Sequence, residues 1–559
     1  MPRWGLLNAL ALALAIAFAV PVLSVLYNVF MPSAGVWSHL AATVLPDYVL
    51  NTVWLVFGVG VGVTSIGVAS AWLTTMCRFP GRALFEWSLI LPLAVPGYVI
   101  AYAYTDFLQF AGPVQALIRE ASGLAAGEYW FPDVRSLGGA VVMLSLVLYP
   151  YVYLLARAAF LEQSVGMIEA GRTLGLSPWR SFFRIALPLA RPGIAAGVAL
   201  ALMETLADFG TVAYFGVPTF TTGIYRAWFS LGDRVAAAQL SAALLALVAL
   251  VFLAERLTRG RARFHDTVRR ERPDAAYRLT GLRAWGATAG CALPVVFGFL
   301  LPAAILFEMA FLAGDAQFGE RFLRLTLNSF TLSGITAIVA VLLALLLAYG
   351  ARLRPSPLSA VANRLVAMGY AVPGTVIAVG VLIPVARLDN MLNQSLQAAL
   401  GISVGLVLTG SIAALIYAYL VRFFAVALHT VEAGLAKITS SMDDAARSLG
   451  AGPAATLARV HAPLMWRSLF TAGLLVFVDV MKELPATLVM RPFNFDTLAV
   501  QAYNLASDER LSEASSSALM IVAVGLLPLI VLSQTIARSR EPSSPRPTFT
   551  SSQISTPPN

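Results

Sequence analysis

The sequence is poor in charged residues, cysteine and histidine. Of its 559 residues, 12% are Asp, Glu, Lys or Arg and 58% are hydrophobic, and the mean hydropathy is +0.78. Soluble domains carry about 25% charged residues, so this chain has too few of them to cover a soluble surface. Its two cysteines, Cys77 and Cys291, and its four scattered histidines supply neither a disulfide framework nor a clustered metal site. The composition therefore predicts a polytopic membrane protein.

Long apolar segments predict transmembrane helices, because about 20 helical residues cross the hydrocarbon core of a bilayer. Twelve such segments lie at residues 5–30, 49–76, 84–111, 139–156, 192–218, 235–254, 286–313, 329–351, 361–386, 400–421, 468–490 and 514–536. Their lengths match helices and exceed those of barrel strands. We therefore expect an all-α polytopic fold with about twelve transmembrane helices.

The basic residues are divided unequally between the two sides of these segments. With the N-terminus inside, the inner segments contain 28 of the 38 Lys and Arg residues, and the outer loops contain nine. Loops rich in Lys and Arg stay cytoplasmic, so both termini are predicted to be cytoplasmic. The same asymmetry explains the net charge of +9 without a nucleic-acid partner.

The sequence contains an internal repeat with an offset of 275 to 277 residues. Three motif pairs carry it: Glu-Ala-Gly-Arg-Thr-Leu-Gly at 169–175 with Asp-Ala-Ala-Arg-Ser-Leu-Gly at 444–450, Leu-Asn-Thr at 50–52 with Leu-Asn-Ser at 327–329, and Val-Pro-Gly at 95–97 and 372–374. Each copy has six predicted spans. Because six is even, both copies enter the membrane in the same orientation and form parallel repeats.

The repeat divides the chain into four parts. Residues 1–254 and 284–537 are predicted to be the two six-helix repeats. Residues 255–283 contain nine arginines and four acids and are predicted to be a cytoplasmic linker. Residues 538–559 are rich in Ser and Pro and are predicted to be a disordered cytoplasmic tail.

Each repeat has one long inner loop, at about 161–191 and about 436–466. In both loops an acid is followed by small residues, a Gly comes six residues after the acid, and a Pro comes thirteen residues after that Gly. An acid suits the first turn of a helix and Gly suits its carboxyl-terminal cap. The spacing therefore predicts a short exposed helix in each loop. The alternative is a solvated connector, which does not explain why the pattern is duplicated.

This pattern resembles the EAA loop of ABC importer permeases. The matching residues are Glu169, Ala170, Gly171, Gly175 and Pro188 in the first loop, and Asp444, Ala445, Ala446, Gly450 and Pro463 in the second. The resemblance implies a type I ABC importer permease fold in a bacterial cytoplasmic (inner) membrane. It also implies that the loops dock on two copies of an ATPase subunit and that a periplasmic or extracellular binding protein delivers the substrate. Asp444 stands where the family has Glu and Ala462 where it has Leu, so we expect the second loop to dock less tightly or differently.

The sequence contains no nucleotide-binding loop of its own. Its only lysines, Lys437 and Lys482, are followed by Ile and Glu, whereas a phosphate-binding loop requires Lys before Ser or Thr. We therefore expect no catalytic residue and no bound cofactor in this chain. ATP and magnesium are expected on the partner ATPase.

Two acids lie in the fifth predicted span of each repeat: Glu204 and Asp208 in the first, and Asp479 and Glu483 in the second. Each pair is spaced by four residues and so shares one helix face. Ionisable groups within a membrane usually face a bundle interior or a wet cavity, and clustered carboxylates suit a hard cation. We therefore interpret these acids as candidates for a translocation path, without assigning a metal site. The alternative is a role in packing or gating, with Lys482 neutralising a structural charge.

The segments around these acids are similar to those of fused ferric-iron ABC importer permeases. They are residues 204–216, 481–488 and 491–497. The resemblance implies ferric iron as the substrate. Fused thiamine permeases share the twelve-span layout, and polyamine and sulfate importers share the loop motif, so these substrates are alternatives. A secondary transporter with parallel repeats is a further alternative, but it offers no reason for two long loops; a channel or scaffold is another.

Overall fold

The computed structural model describes residues 3–32, 35–125, 127–163, 173, 175–259, 277–312, 318–353 and 355–538. The elements before the linker are α1 (Arg3–Asn28), α2 (Val36–Thr43), α3 (Leu45–Met76), β1 (Cys77–Arg78), α4 (Arg82–Ser88), α5 (Gly97–Leu108), α6 (Pro113–Ser122), α7 (Leu137–Glu162), α8 (Pro178–Ser181), α9 (Leu187–Ala207), α10 (Gly210–Tyr214), α11 (Phe220–Phe229) and α12 (Arg234–Arg259).

The second half has a matching series of elements. They are β2 (Tyr277–Arg278), α13 (Leu282–Val295), α14 (Leu301–Phe311), α15 (Glu320–Leu353), α16 (Pro357–Ala367), α17 (Gly374–Leu400), α18 (Ile412–Leu435), α19 (Ser440–Ser448), α20 (Pro453–Thr456), α21 (Ala462–Leu464), α22 (Trp466–Met481), α23 (Pro485–Met490), α24 (Leu498–Ser507) and α25 (Leu511–Arg538). Short 3₁₀ turns at Leu91–Ala94 and Met368–Ala371 precede α5 and α17.

Helices dominate the described residues, as the composition predicts. Ten helices are long and apolar enough to cross a membrane, and two bent helix pairs meet the same standard when each pair is taken as one span. The pairs are Arg82–Ala94 with Gly97–Ser122, bent by 91°, and Pro453–Leu464 with Trp466–Met481, bent by 77°. Together they give six spans on each side of the linker. The predicted all-α fold with two six-helix halves is confirmed.

Several predicted segments are wrong by more than two helical turns. The segment 192–218 corresponds to a span at Trp179–Ala207, 361–386 to Gly374–Leu400, and 400–421 to Ile412–Leu435. The apolar stretch before α18 is instead a loop that folds back over α17. Backbone amides within 404–409 donate to the side-chain oxygens of Asn393 and Asp389, which replace the hydrogen bonds of a helix. The correction moves Arg422 from a predicted inner loop into the interior of a membrane-spanning helix.

The first helix of each half packs on the other half. The ring of Phe18 in α1 meets Phe424 of α18 edge-on at 5.3 Å. Pro21 has no N–H, so it leaves the carbonyl of Ala17 without its helical partner. The hydroxyl of Tyr417 donates to that carbonyl. The contact satisfies a polar backbone group that lipid could not satisfy.

The same arrangement recurs with α13 and α14, which pack on the first half. A π-helical turn at Val296–Leu300 joins these two helices and is followed by Pro302. Because a π-helical turn bonds each N–H to the carbonyl five residues earlier, Pro302 leaves the carbonyl of Phe297 free. The hydroxyl of Tyr104 in α5 donates to it at 2.6 Å. In each case a tyrosine hydroxyl of one half donates to a carbonyl of the other half that a proline has left without its helical hydrogen bond.

The buried core divides into two clusters, and each contains side chains from both halves. One cluster joins α3, α5 and α7 to α13, α14 and α25. The other joins α1, α11 and α12 to α15, α17 and α18. The halves of the sequence are thus not separate packing units in the structure.

The linker was predicted at 255–283, and only its two ends lie within the described residues. At its start, α12 continues to Arg259. At its end, β2 pairs in parallel with β1, with Cys77 opposite Tyr277. Residues 260–276 and the tail from 539 onward lie outside the described residues. The paired strands hold the end of the linker against the first half, beside the carboxyl end of α3.

Candidate functional sites in the long loops and in the membrane

The second long loop contains the predicted short helix, α19, and Gly450 ends it. The N–H of Gly450 donates to the carbonyl of Arg447, and the N–H of Ala451 donates to the carbonyl of Ala446, both at 3.0 Å. These two bonds form a Schellman motif, which requires a left-handed residue after the helix. Gly450 has φ +77°, a value that side-chain-bearing residues rarely adopt. The spacing of this loop predicts its conformation correctly.

The first long loop is only partly within the described residues. Glu169, Ala170 and Gly171 lie outside them. Gly175 lies within them and has φ +77°, the same value as its counterpart Gly450. The two glycines of the repeated motif therefore share one backbone conformation.

The prolines of the motif follow π-helical turns. These turns span Phe182–Ala186 and Leu457–His461, and Pro188 and Pro463 come two residues after them. Each proline lacks the N–H that would continue the π-type hydrogen bonding. Both prolines therefore lie at the second residue of the α-helical segment that follows the π-helical turn, Leu187–Ala207 in the first half and Ala462–Leu464 in the second.

The acid of the motif, Asp444, lies on the exposed side of α19. Its side chain is 65% exposed and pairs with Arg447, one turn later. The preceding residue, Asp443, faces the body of the protein and contacts Arg352 and His461. Partial burial would raise the pKa of Asp443, but its hydrogen bonds to Arg352 and the charges of Arg352 and His461 lower it below its ordinary value. Sequence reasoning missed these three residues.

The four intramembrane acids lie where two helices break. Each break is followed by a short helix, and an acid caps it. Asp208 accepts hydrogen bonds from the hydroxyl of Thr211 at 2.9 Å and the N–H of Val212 at 3.2 Å, at the start of α10. Glu483 accepts from the N–H groups of Ala486 and Thr487 at 3.0 and 3.1 Å, at the start of α23. Asp208 and Glu483 therefore satisfy backbone donors that the broken helices expose.

The two breaks meet across the interface between the halves. A Cβ atom on Gly210 would lie 2.9 Å from the side chain of Leu484. The hydroxyl of Tyr98 in α5 donates to the carbonyl of Lys482 at 3.3 Å. The repeated Pro-Gly motif lets α5 and α17 begin close to the break of their own half, because a Cβ on Gly97 would lie 2.8 Å from Thr211 Oγ1 and a Cβ on Gly374 would lie 2.5 Å from Glu483 Oε1. The motif is thus explained by close packing against the helix breaks.

Arg422 joins the acids of the two halves. Its Nη1 donates to Glu483 Oε1 at 2.9 Å, and its Nη2 lies 4.0 Å from Glu204 Oε2. The side chain of Arg422 is 9% exposed and that of Glu483 is 2% exposed. Removal of either partner would leave the other as an unpaired buried charge, which is strongly destabilising. Sequence reasoning missed Arg422 because the predicted span ends at residue 421, whereas α18 continues to Leu435 and includes this arginine.

Asp479 and Lys482 form the second ion pair at this place. Lys482 Nζ lies 2.9 Å from Asp479 Oδ1, one helical turn away. We call Glu204, Asp208, Asp479, Glu483, Arg422 and Lys482 the charge cluster. Both cations come from the second half, and the cluster has a formal charge of −2 at neutral pH.

The repeated Leu-Asn-Thr/Ser motif clamps the loop that follows each short helix. The side-chain amide of Asn51 donates to the backbone carbonyl of Pro218 at 3.0 Å, and that of Asn328 donates to the backbone carbonyl of Asp496 at the same distance. The next residue of the motif accepts from the first N–H of α11 or α24, as Ser329 does at 2.9 Å. The motif therefore fixes the chain between the charge cluster and the following helix in both halves.

No group of three or more His, Cys, Asp or Glu side chains that could hold a metal ion occurs among the described residues. The acids of the charge cluster instead contact other protein groups. Asp208 and Glu483 accept from backbone N–H groups, Glu483 also binds Arg422, and Asp479 binds Lys482. Glu204 has the weakest of these contacts, and its side chain is 28% exposed. The cluster is therefore an electrostatic feature of the interface between the halves.

Comparison with known proteins gives matches across the chain. Residues 63–263 and 340–543 each match the family described as "Binding-protein-dependent transport system inner membrane component". The Fe(3+)-transport system permease protein FbpB 2 of Haemophilus influenzae is 27% identical over 497 residues, covering 87% of this chain and 90% of that protein.

Two further relatives match a smaller part of the chain. The molybdenum transport system permease protein ModB of Escherichia coli is 32% identical over 206 residues, covering 35% of this chain and 87% of that protein. The sulfate transport system permease protein CysW of the same species is 28% identical over 215 residues, covering 38% of this chain and 70% of that protein. Both alignments are shorter than one half of this chain.

Proposed function

Because the chain belongs to the family of inner membrane components of binding-protein-dependent transport systems, we propose that it is the permease of an ABC importer for ferric iron. The observation that carries the choice of iron is the match to an Fe(3+)-transport permease along nearly the full length of both proteins. The molybdenum and sulfate permeases match only 35% and 38% of this chain.

The formal charge of the charge cluster supports a cation as the substrate. Four carboxylates face two basic groups, which leaves −2 at the place where the two halves meet. In a partly dry environment charges act more strongly than in water, so this cluster would repel molybdate or sulfate and attract Fe(III). Glu204 and Asp479 are the acids best placed to meet a passing cation, since Asp208 and Glu483 cap helices.

The long loops supply the link to the energy source. In this proposal, Glu169 and Asp444 with their neighbouring motif residues dock on two copies of an ATPase that binds ATP and magnesium. Repeats 1–254 and 284–537 then rock about their interface, so that the path opens alternately to each side. Both termini and the long loops lie in the cytoplasm, where most Lys and Arg residues are found. A binding protein delivers Fe(III) to the opposite face.

The test is uptake of radiolabelled Fe(III), molybdate and sulfate by proteoliposomes that contain the permease with its ATPase and binding protein. Identification of these two partners begins with affinity purification of the tagged permease from native membranes. Uptake of iron that depends on ATP is the expected result. Uptake that persists without ATP would favour a secondary transporter, and uptake of an oxyanion would overturn the choice of iron.

Variants test whether the charge of the cluster matters. Glu204→Gln with Asp479→Asn removes two negative charges and preserves both helix caps, so we expect iron uptake to fall by about tenfold, which is about 1.4 kcal/mol. Asp479→Asn with Lys482→Met also removes Asp479 but keeps the sum at −2, so comparison of the two variants separates the effect of the summed charge from that of the individual acids. If the first variant transports iron at the wild-type rate, these acids are structural and the proposed cation path is wrong.

A further inference from the structure

One side chain at the end of α15 holds the second long loop in place. Arg352 donates to Asp443 Oδ2 through Nε at 3.0 Å and through Nη2 at 2.7 Å. It also donates to the carbonyls of Leu435 and Ile438, each at 2.8 Å. Leu435 is the last residue of α18. A single guanidinium therefore joins the end of α15, the end of α18 and the first turn of α19.

A buried histidine supports the same acid from the other side. His461 lies in the π-helical turn before Pro463, its side chain is completely buried, and its Nε2 is 2.6 Å from Asp443 Oδ1. The ring of Tyr349 packs edge-on against His461 at 5.3 Å, and its hydroxyl donates to the carbonyl of Pro453 at 2.9 Å. Asp443 is thus held between α15 and the segment that leads back into the membrane.

The adjacent acids of α19 face in different directions. Asp443 is 24% exposed and points toward the protein, whereas Asp444 is 65% exposed and contacts only Arg447 among the ion pairs of the described residues. The inner acid therefore fastens the helix, and the outer one is left accessible to a partner.

The residues that make these contacts are not repeated in the sequence of the first half. With the repeat offset of 275, Asp443 corresponds to Ile168 and His461 corresponds to Ala186. With the offset of 277 found earlier in each half, Arg352 corresponds to Thr75. None of these three residues carries a charge, so the ion pairs of Asp443 have no counterpart at the equivalent positions of the first half.

We propose that Arg352, Asp443 and His461 are positioning residues that lock the second docking helix to the body of the permease. This proposal rests on the proposed function, since it names how one of the two docking helices is held. The positioning residues themselves do not touch the ATPase.

The first experiment measures amide hydrogen exchange of residues 440–450 in the full-length permease in lipid nanodiscs, without any partner. Asp443→Asn removes the charge that Arg352 binds, and we expect exchange in this segment to become about tenfold faster. Asp444→Asn is the matched control on the same helix and should leave the exchange rates unchanged. Arg352→Lys keeps the charge but loses the fork that reaches the two carbonyls, so it should give an intermediate increase.

The second experiment measures ATPase stimulation by the same variants in proteoliposomes as a function of ATPase concentration. We expect Asp443→Asn to weaken the apparent affinity for the ATPase by about tenfold, because the docking helix must be ordered on binding. Asp443→Glu, which retains the charge, should recover most of that loss. Glu320→Gln, at the exposed opposite end of α15, is the control for stimulation.

The two experiments separate the possible failures. Unchanged exchange in Asp443→Asn would show that the contacts do not hold α19, and the inference would be overturned. Faster exchange with wild-type stimulation would show that holding α19 does not matter for coupling, which also overturns it. If the wild-type permease fails to stimulate any ATPase, the proposed function fails, while the exchange measurement still reports whether Arg352 and Asp443 immobilise the helix.

Discussion

Replacement of Gly450 tests whether the end of α19 must adopt the observed turn. Gly450 has φ +77°, and a Cβ added there would meet nothing within 4 Å. The cost of a side chain is therefore conformational and not steric, about 1–2 kcal/mol for an L-residue in the left-handed region. Asn tolerates this region better than other residues with side chains, whereas β-branched Val fits it poorly. The expected order of coupling is Gly, then Asn, then Ala, then Val.

An energy of 1–2 kcal/mol corresponds to a factor of about 5–30 in a local equilibrium. If the strain is relieved by opening the turn, the two Schellman hydrogen bonds are lost and the docking surface is displaced. We therefore expect Gly450→Val to weaken the apparent affinity for the ATPase by about 5–30-fold in proteoliposomes, with the amount of folded permease unchanged. Size-exclusion chromatography of the detergent-solubilised variant checks the fold.

A glycine elsewhere provides the control for this series. Gly473 lies within α22, and a Cβ there would make an ordinary contact of 3.6 Å with Val341. Gly473→Ala should leave coupling at the wild-type level, since Ala favours the helix more than Gly does. The counterpart Gly175 has the same φ, so Gly175→Val should also weaken coupling, though to a different degree because the loops differ. Wild-type coupling by the double Val variant would refute the docking assignment.

Three further predictions concern the membrane region and the topology. Glu483→Gln leaves Arg422 as a buried charge without its main partner, so we expect a loss of about 3–5 kcal/mol in thermal or denaturant unfolding, part of which the double variant with Arg422→Met should recover; additive losses would contradict the pairing. Asn51→Ala removes one clamp hydrogen bond and should lower stability by about 1 kcal/mol, and no change would show that the clamp is dispensable. Ala262, in the part of the linker outside the described residues, can be replaced by Cys; a membrane-impermeant maleimide should then label the protein only in inside-out vesicles, and labelling of intact cells would overturn the orientation. Native Cys77 should not react at neutral pH, because burial raises its pKa to about 11 despite the opposing charge of Arg82.

Much of the fold could be predicted because it depends on local composition and regular spacing. Apolar runs predict the spans, since a backbone in lipid must satisfy its own hydrogen bonds. The spacing from acid to Gly predicts the end of α19, since a left-handed cap is a local requirement. The segment at 400–421 was misplaced because apolar composition does not reveal that Asp389 and Asn393 bind the loop amides.

The sequence by itself determined the membrane class, the two parallel halves and the repeated loops. Long apolar runs indicate the membrane class, and motifs repeated at a nearly constant offset indicate the two halves and their loops. Only the tertiary structure decided which charges meet. Arg352 contacts Asp443 across 91 residues of sequence, and Arg422 contacts Glu483 across 61. The sequence singled out Asp444, but its neighbour Asp443 faces the protein. Which of two adjacent acids is buried depends on the helices packed around them, and a residue pattern on one helix cannot specify those contacts.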